Sequence, residues 1–294
     1  MCGVRGSTPA PGPDFVRVGG NTACVAVAHD TDDAPCLVLD AGTGLRRVSA
    51  LLAGAPFRGT ILLSHLHWDH TQGLPFFRGG DRDDAIVRVR VPEQGTPPRE
   101  LLDRFMSPPT FPIDVSGLHG SWPVSSIDEG WHRVEGFDVL ALEIPHAGGR
   151  TFGYRVTDGS STLAYLSDHG PRAVMGEGPD GWGPYHEAAM TLCASADLLI
   201  HDAQHTAAEL ARVYRFGHSA ADYAVELARR AGVAQILLFH HDPDRTDEQV
   251  DKMVRDLQHP RGPHVDTARE GGVVVLGRAT AVPSSSTAPG EVVR

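Results

Sequence analysis

Long apolar runs are missing from this 294-residue chain. None approaches the ~20 residues that a bilayer-spanning helix needs, so no membrane partner is expected. The opening Met1-Cys2-Gly3-Val4-Arg5 has no apolar stretch ahead of a small-residue cleavage site, which argues against a signal peptide. Cysteine is scarce. Cys2, Cys24, Cys36 and Cys193 stand far apart and form no C-x-x-C pair, so they read as free thiols in a reducing, cytoplasmic setting. Positive charge is in deficit: 26 Lys and Arg against 37 Asp and Glu give a formal charge of −11. That disfavours extended nucleic acid as a partner, since a broad basic footprint is lacking. A local anion site stays open, because two divalent metals would add about four positive charges where they sit. Internal repeats and domain linkers are also absent. With 41% hydrophobic and 21% charged residues the composition is ordinary for a globular chain.

Histidine is what the chain has in excess, at 16 residues. Its densest cluster is His65-Leu66-His67-Trp68-Asp69-His70, directly after the apolar run Ile61-Leu62-Leu63. Three imidazoles and a carboxylate in six residues point to a transition-metal site, and the lack of cysteine in the set disfavours a purely structural zinc. On a helix His65 and His67 would point about 200° apart. On a loop capping a strand both can turn inward.

Four further apolar runs end in the same way. Cys36 to Leu39 runs into Asp40, Leu163 to Ser167 into Asp168, Leu198 to Ile200 into His201 and Asp202, and Gln235 to Phe239 into His240. Continuous apolar runs of this length read as strands covered on both faces. Layered α/β folds assemble their sites at strand C-terminal ends, so five such endings favour one shared site. A helix is expected from a capping-box-like Ser219 and Asp222, through Ala220, Ala224, Leu227, Ala228 and Ala231, to a stop at Gly232. A second is expected from Pro184 to Ser195. Ala23 to Ala28, Leu37 to Asp40, and Ala85 to Val91 suggest β-hairpins. Residues 92–130, rich in Pro and Gly, read as an insertion that serves as a lid or substrate wall, with a short helix from Arg99 to Met106. Residues 281–294 read as a low-complexity, disordered tail, leaving 1–280 as one domain.

H-x-H-x-D-H after an apolar strand resembles the metal motif of the metallo-β-lactamase superfamily. Distant residues match in order: Asp40 in Leu-Asp-Ala-Gly, His146 in Ile-Pro-His-Ala-Gly-Gly, Asp168 in Tyr-Leu-Ser-Asp-His, and His240 in Leu-Leu-Phe-His-His. The resemblance implies an α/β fold, a four-layer αββα sandwich of two mixed β-sheets flanked by helices. It also implies two divalent metal ions, zinc or manganese with iron as a further candidate. His65, His67 and His146 would hold one metal. Asp69, His70 and His240 would hold the other, with His241 as a rival for His240. Asp168 would bridge the two, and Asp40 would hold the metal loop. His169 would pack or face solvent.

Within the superfamily, Gly20-Asn21-Thr22 after the Arg5-Gly6-Ser7 turn resembles the ribonuclease Z-like and phosphodiesterase-like branch. His201-Asp202-Ala203-Gln204 resembles that branch's His-Glu-Ala-Thr segment, and Gly217-His218-Ser219 its His-Ser-Thr segment. Gly19 to Thr22, Asp40 to Gly44, Pro108 to Pro112 and Phe239 to Pro243 resemble proteins described only as metal-dependent hydrolases. The branch implies Asp69, Asp202 and His218 as catalytic residues, with Asp202 orienting His218. The helix N-terminus at Ser219 to Asp222 would offer N–H groups to an anion. It also implies a homodimer. The expected activity is hydrolysis of a small or cyclic nucleotide phosphodiester by a metal-bridging hydroxide. Alternatives are a carbon ester, lactone or β-lactam on the same metals, ribonuclease Z-like RNA 3′ processing, or a non-enzymatic binding protein. No Gly/Pro- and Lys-rich arm that could grip tRNA is evident. Arg99, Arg104, Arg150 and Arg155 are candidate phosphate contacts.

Overall fold

The computed structural model describes residues 1–32, 34–171 and 186–277. Two mixed sheets face one another. The first takes β1 (Val25–Val27), β2 (Leu37–Leu39), β3 (Arg58–Leu62), β4 (Ile86–Pro92) and β5 (Val124–Ile127), in that spatial order. The second is ordered β12-β11-β10-β9-β8-β7-β6. Its strands are β6 (Gly130–Val134), β7 (Phe137–Ile144), β8 (Thr151–Thr157), β9 (Thr162–Leu166), β10 (Leu198–Asp202), β11 (Gln235–Phe239) and β12 (His264–Thr267). The apolar inner faces form one core, where Leu37, Leu39 and Leu62 meet Val139, Phe152, Tyr154, Tyr165, Ile200 and Phe239. Helices cover the outer faces. α1 (Leu45–Leu51), the short α2 (Trp68–Thr71) and α3 (Pro98–Asp103) belong to the first half of the chain. α4 (Glu187–Cys193), α5 (Ala207–Val213), α6 (Ala221–Ala231) and α7 (Asp247–Leu257) belong to the second. Leu45 and Val48 of α1 pack on the first sheet, and α4, α6 and α7 pack on the second. This is the expected four-layer αββα sandwich. Among the described residues no helix is long and apolar enough to cross a membrane.

Strand direction brings the predicted ligands to one rim. β2, β3 and β4 are parallel, as are β9, β10, β11 and β12. β7, β8 and β9 are successively antiparallel, so β7 points the same way as β9. Asp40, His65, His146, Asp168, Asp202 and His240 therefore all follow, or end, strands that finish at the same edge of their sheets.

Several local expectations change. β1 and β2 do pair as an antiparallel hairpin, but β4 is no hairpin arm: it lies parallel between β3 and β5. Its apolar-charged alternation, Val87-Arg88-Val89-Arg90-Val91, reflects one covered face rather than a turn partner. Residues 92–130 hold α3, close to the helix expected there, but their end supplies β5, an edge strand of the first sheet. α6 ends as expected at Gly232, whose left-handed φ of 71° lets its N–H close on Ala228. Its start differs: Ser219 does not cap it, because the Ser219 hydroxyl donates to the His169 carbonyl. Complete capping boxes occur instead at Thr206/Glu209 and Thr246/Gln249. α4 lies within the predicted 184–195 helix, whose first two residues are outside the described residues, as is the expected tail at 281–294. The four cysteines are free.

One buried cation ties the N-terminus to the late part of the chain. Arg5 is fully buried; its Nε donates to Gly19 O at 2.7 Å, Nη1 to Arg245 O at 2.7 Å, and Nη2 to Asp247 Oδ1 at 3.4 Å. Asp247 also accepts from the Arg17 and Val18 backbone. Arg5→Ala leaves these acceptors buried without the cation and should cost about 3–5 kcal/mol. Urea unfolding followed by far-ultraviolet circular dichroism measures the loss; Lys252→Ala on the exposed face of α7 is the control.

Candidate metal centre

The hexapeptide forms a loop that turns into α2. His67 is the N-terminal flanking residue, still extended, and Asp69 and His70 lie in the buried first turn. That break in geometry lets His65 and His67 both face inward, which a continuous helix would forbid. His65, His67, His146 and Asp168 bring one donor atom each to within 4.8 Å of one another, and so do Asp69, His70, Asp168 and His240. Asp168 belongs to both groups. It approaches His65 at 3.7 Å and His146 at 3.6 Å through Oδ2, and His70 at 3.1 Å and His240 at 3.3 Å through Oδ1. The seven expected ligands are thus brought together as two sets sharing a carboxylate.

In His146, His70 and His65 the partner of one nitrogen decides that the other faces the centre. The Gly217 carbonyl can only accept, so His146 Nδ1 carries the hydrogen at 2.8 Å and Nε2 is the ligand atom. His70 Nδ1 donates to Asp40 Oδ2 at 2.8 Å, which again leaves Nε2 for the centre. His65 Nδ1 meets Ser64 Oγ at 3.0 Å. His240, not His241, points inward: His240 Nε2 lies 3.0 Å from Asp69 Oδ2, whereas His241 Nε2 bonds Thr267 Oγ1 at 2.6 Å.

The chemistry of the donors fits divalent cations. His65 Nε2 and Asp168 Oδ1 are buried with no aligned hydrogen bond. Burial pushes His65 and His67 down, and His146 down to about 4, which keeps these imidazoles neutral as ligands must be. Burial also opposes charge on Asp69 and Asp168, but the neighbouring imidazoles outweigh it and hold both carboxyls well below their usual range. His70 and His240 are the exceptions. Burial opposes their protonation, yet Asp168, Asp69 and Asp40 raise His70 well above the ordinary value, and Asp168 and Asp69 raise His240. A carboxylate cluster that captures a proton in this way is one that a metal cation would neutralise instead.

Asp40 holds the loop. Its carboxylate accepts from Ser64 N at 2.6 Å, Ser64 Oγ at 2.8 Å, His70 Nδ1 at 2.8 Å and Tyr165 Oη at 2.7 Å. The sequence reading missed three supports. Tyr165 reaches Asp40 from the opposite sheet. The Ser7 N–H donates to Asp69 Oδ2 at 2.7 Å. Gly6 must lack a side chain, because a Cβ there would lie 2.5 Å from His240 Nδ1. Gly6 was legible only as part of a turn, since nothing local says which histidine it meets.

Beside the metal ligands, His218 Nδ1 donates to Asp202 Oδ2 at 2.9 Å. Burial works against charge on Asp202, and His218 more than offsets it. The His218 ring stacks on His240 with centroids 5.0 Å apart, and its Nδ1 is 3.7 Å from Asp168. Two N–H groups of the expected anion site at the start of α6 are committed within the chain: Ser219 N–H faces Asp202 Oδ2 at 3.3 Å, and Ala221 N–H donates to His205 O. His169 neither faces solvent nor enters the centre. It is buried, with Nδ1 2.9 Å from His201 Nε2. The four candidate arginines are also engaged elsewhere. Arg99 and Arg104 pair within α3 with Asp103 and Glu100, Arg150 pairs with Glu143, and Arg155 holds the Leu192 and Ala194 carbonyls.

The model of the beta-lactamase superfamily domain matches residues 37–241, which run from β2 to just past His240. The chain belongs to the beta-lactamase superfamily. Within it, ribonuclease Z of Brevibacillus brevis is 37% identical over 240 residues, covering 67% of this chain and 72% of that one. The metallo-beta-lactamase fold protein YhfI from Bacillus subtilis shares the fold with a TM-score of 0.65 at 18% identity, over 92% of this chain and 95% of its own. The short form of human tRNase Z aligns with a TM-score of 0.60 at 20% identity, over 93% and 97%. The protein is a hydrolase of the ribonuclease Z-like branch of the superfamily, with His/Asp clusters able to bind metal.

Two substitutions separate ligand from support. His240→Ala should lower the bound metal by about one ion per chain, while His241→Ala retains both; elemental analysis after dialysis in zinc reads the difference. Asp40→Asn should weaken metal affinity by roughly tenfold to a hundredfold through the loosened loop, measured by competition with a chromophoric chelator.

Proposed function

We propose that this hydrolase is a dinuclear phosphodiesterase acting on small or cyclic nucleotide phosphodiesters, with zinc or manganese as its metals. The observation that carries it is the Asp202–His218 pair set against the metal cluster. Bound divalent ions supply a water of lowered pKa and neutralise the oxygens of a phosphate. His65, His67 and His146 would hold one ion and Asp69, His70 and His240 the other, with Asp168 serving both. Asp202 accepts from His218 Nδ1, so Nε2 is the nitrogen left for substrate. As the phosphorus–oxygen bond to the leaving group breaks, the proton on His218 Nε2 passes to that oxygen. Asp202 stabilises the imidazolium before the transfer and keeps the ring aligned. A carbon-ester substrate has less need of this pair.

The reading takes residues 1–280 as one hydrolase domain, working in the cytoplasm as a homodimer. It takes residues 92–130 as a wall of the substrate pocket. Gln94 supports this by bonding both the N–H and the carbonyl of Arg150, in the loop that carries His146. A second substrate, the 3′ region of precursor tRNA, is favoured by the 37% identity to a ribonuclease Z. The charge of −11 weighs against it.

His218→Ala should lower kcat about 10²- to 10⁴-fold on a cyclic nucleotide, and much less on bis(p-nitrophenyl) phosphate, whose leaving group needs no proton. Both assays are run with added Mn²⁺ or Zn²⁺. Equal losses on the two substrates would remove the proton-donor role. No turnover of any phosphodiester, with ester hydrolysis intact in His218→Ala, would replace the reading with carbon-ester chemistry.

A further inference from the structure

A further group of metal-binding side chains stands outside the centre already described. His29, Asp32 and Cys36, from the loop that joins β1 to β2, bring one donor atom each to within 4.8 Å of one another. Among the described residues no other donor cluster contains a cysteine. The group lies at the opposite rim from the hydrolase centre. Cys36 immediately precedes β2 and Asp40 immediately follows it, and the four steps between them span about 13 Å of extended chain. The two sets of ligands therefore cannot share an ion.

Contacts from the backbone and from the turn between β6 and β7 hold the donors in place. The Glu135 carbonyl can only accept, so His29 Nε2 carries the hydrogen at 2.8 Å and Nδ1 keeps its lone pair. The ring is fixed further by stacking on Phe137, with centroids 3.9 Å apart and planes within 6°. Gly136 makes room for it, since a Cβ there would lie 2.7 Å from Nε2. One ring nitrogen committed to a carbonyl while the other stays free is the usual support of a ligand histidine. The Asp32 N–H donates to His29 O at 3.0 Å, a turn that returns Asp32 to His29. The Cys36 N–H donates to Val27 O at 3.2 Å, which sets the thiol where the chain re-enters the sheet. Glu135 is engaged elsewhere, with Thr60 Oγ1 at 2.6 Å and Arg88 Nη1 at 3.2 Å.

We propose that His29, Asp32 and Cys36 form a mononuclear site for a divalent cation of the zinc type, separate from the hydrolase centre. Imidazole, carboxylate and thiolate are all zinc donors, and the sulfur disfavours magnesium, calcium and manganese. Tetrahedral ligands of one zinc stand about 3.3–3.8 Å apart, so the cluster has to close by only about 1 Å. The exposed Asp32 side chain supplies that movement. Burial and the Glu135 and Asp32 carboxylates push the Cys36 thiol up, so it is no reactive thiolate by itself, and the cation displaces its proton on binding. His29 and Asp32 also line a cavity of about 440 Å³, which leaves the fourth position to water. The ion closes the β1–β2 loop on itself and, through His29, fastens it to the β6–β7 turn. The site does not depend on which substrate the hydrolase takes.

The test strips the full chain of metal, titrates it with Co²⁺ under a thiol-free reductant, and reads the sulfur-to-cobalt charge-transfer absorption in the near ultraviolet. The hydrolase centre holds no cysteine, so it contributes nothing to that band. The expected result is a band in the parent that Cys36→Ser abolishes. Asp32→Ala should move its appearance to at least about tenfold higher Co²⁺, the loss that even an indirect support of a metal site produces. Elemental analysis after dialysis in zinc should find one ion fewer per chain in Cys36→Ser than in the parent. Absence of the band from the parent, or its survival in Cys36→Ser, would overturn the site. If Cys36→Ser does not fold, Asp32→Ala on the exposed loop decides: a weakened cobalt titration supports the site and an unchanged one overturns it.

Discussion

The Asp40 carboxylate is the interaction on which the centre depends. It gathers four donors from three places: the end of β3, the metal helix α2 and the opposite sheet. Asp40 itself adopts a left-handed φ of 60°, a conformation that costs a non-glycine residue of order 1–3 kcal/mol. The strain persists because the four bonds outweigh it. In return the metal loop is fixed to both sheets at once, so the ligands of the first sheet and those of the second keep a constant spacing. His240 shows the same device, with φ at 56° and its ring packed against Gly6.

The centre is built from residues whose uncommitted atoms converge. Each ring that has a fixed partner spends one nitrogen on it, and the other turns toward Asp168. Burial keeps several imidazoles neutral while the carboxylates stay ionised, which leaves buried negative charge for divalent cations to neutralise. His218 extends this arrangement by one step. It is close enough to stack on His240, and its Nδ1 is committed to Asp202.

Much of this was legible because a strand's C-terminal end carries its meaning locally. Asp40, His65, Asp168, Asp202 and His240 each follow an apolar run, and the order of the motifs along the chain placed His146 among them. What stayed hidden depended on contacts between distant segments. β4 read as a hairpin arm because alternation reports a half-covered face and not the direction of the neighbour. Ser219 looked like a cap because its spacing to Asp222 fits one, but the His169 carbonyl, 50 residues away, competes for its hydroxyl. Four arginines looked available for phosphate because the sequence does not show their partners: acids at helical spacing or across a loop for Arg99, Arg104 and Arg150, and the Leu192 and Ala194 carbonyls for Arg155.

The amino-acid sequence alone determined where the donors stand and which apolar runs end in them, because residue types and their spacing do not change on folding; its resemblance to the metallo-β-lactamase superfamily implied the layered fold and the hydrolase class. Only the tertiary structure decided which nitrogen of each histidine faces the centre, which of His240 and His241 is inward, and how the N-terminal turn closes on Asp69. It also decided which N–H groups at α6 and which arginines are already taken. The physical reason is that a side chain's free valence is whatever remains after its neighbours have bonded to it, and those neighbours come from far along the chain.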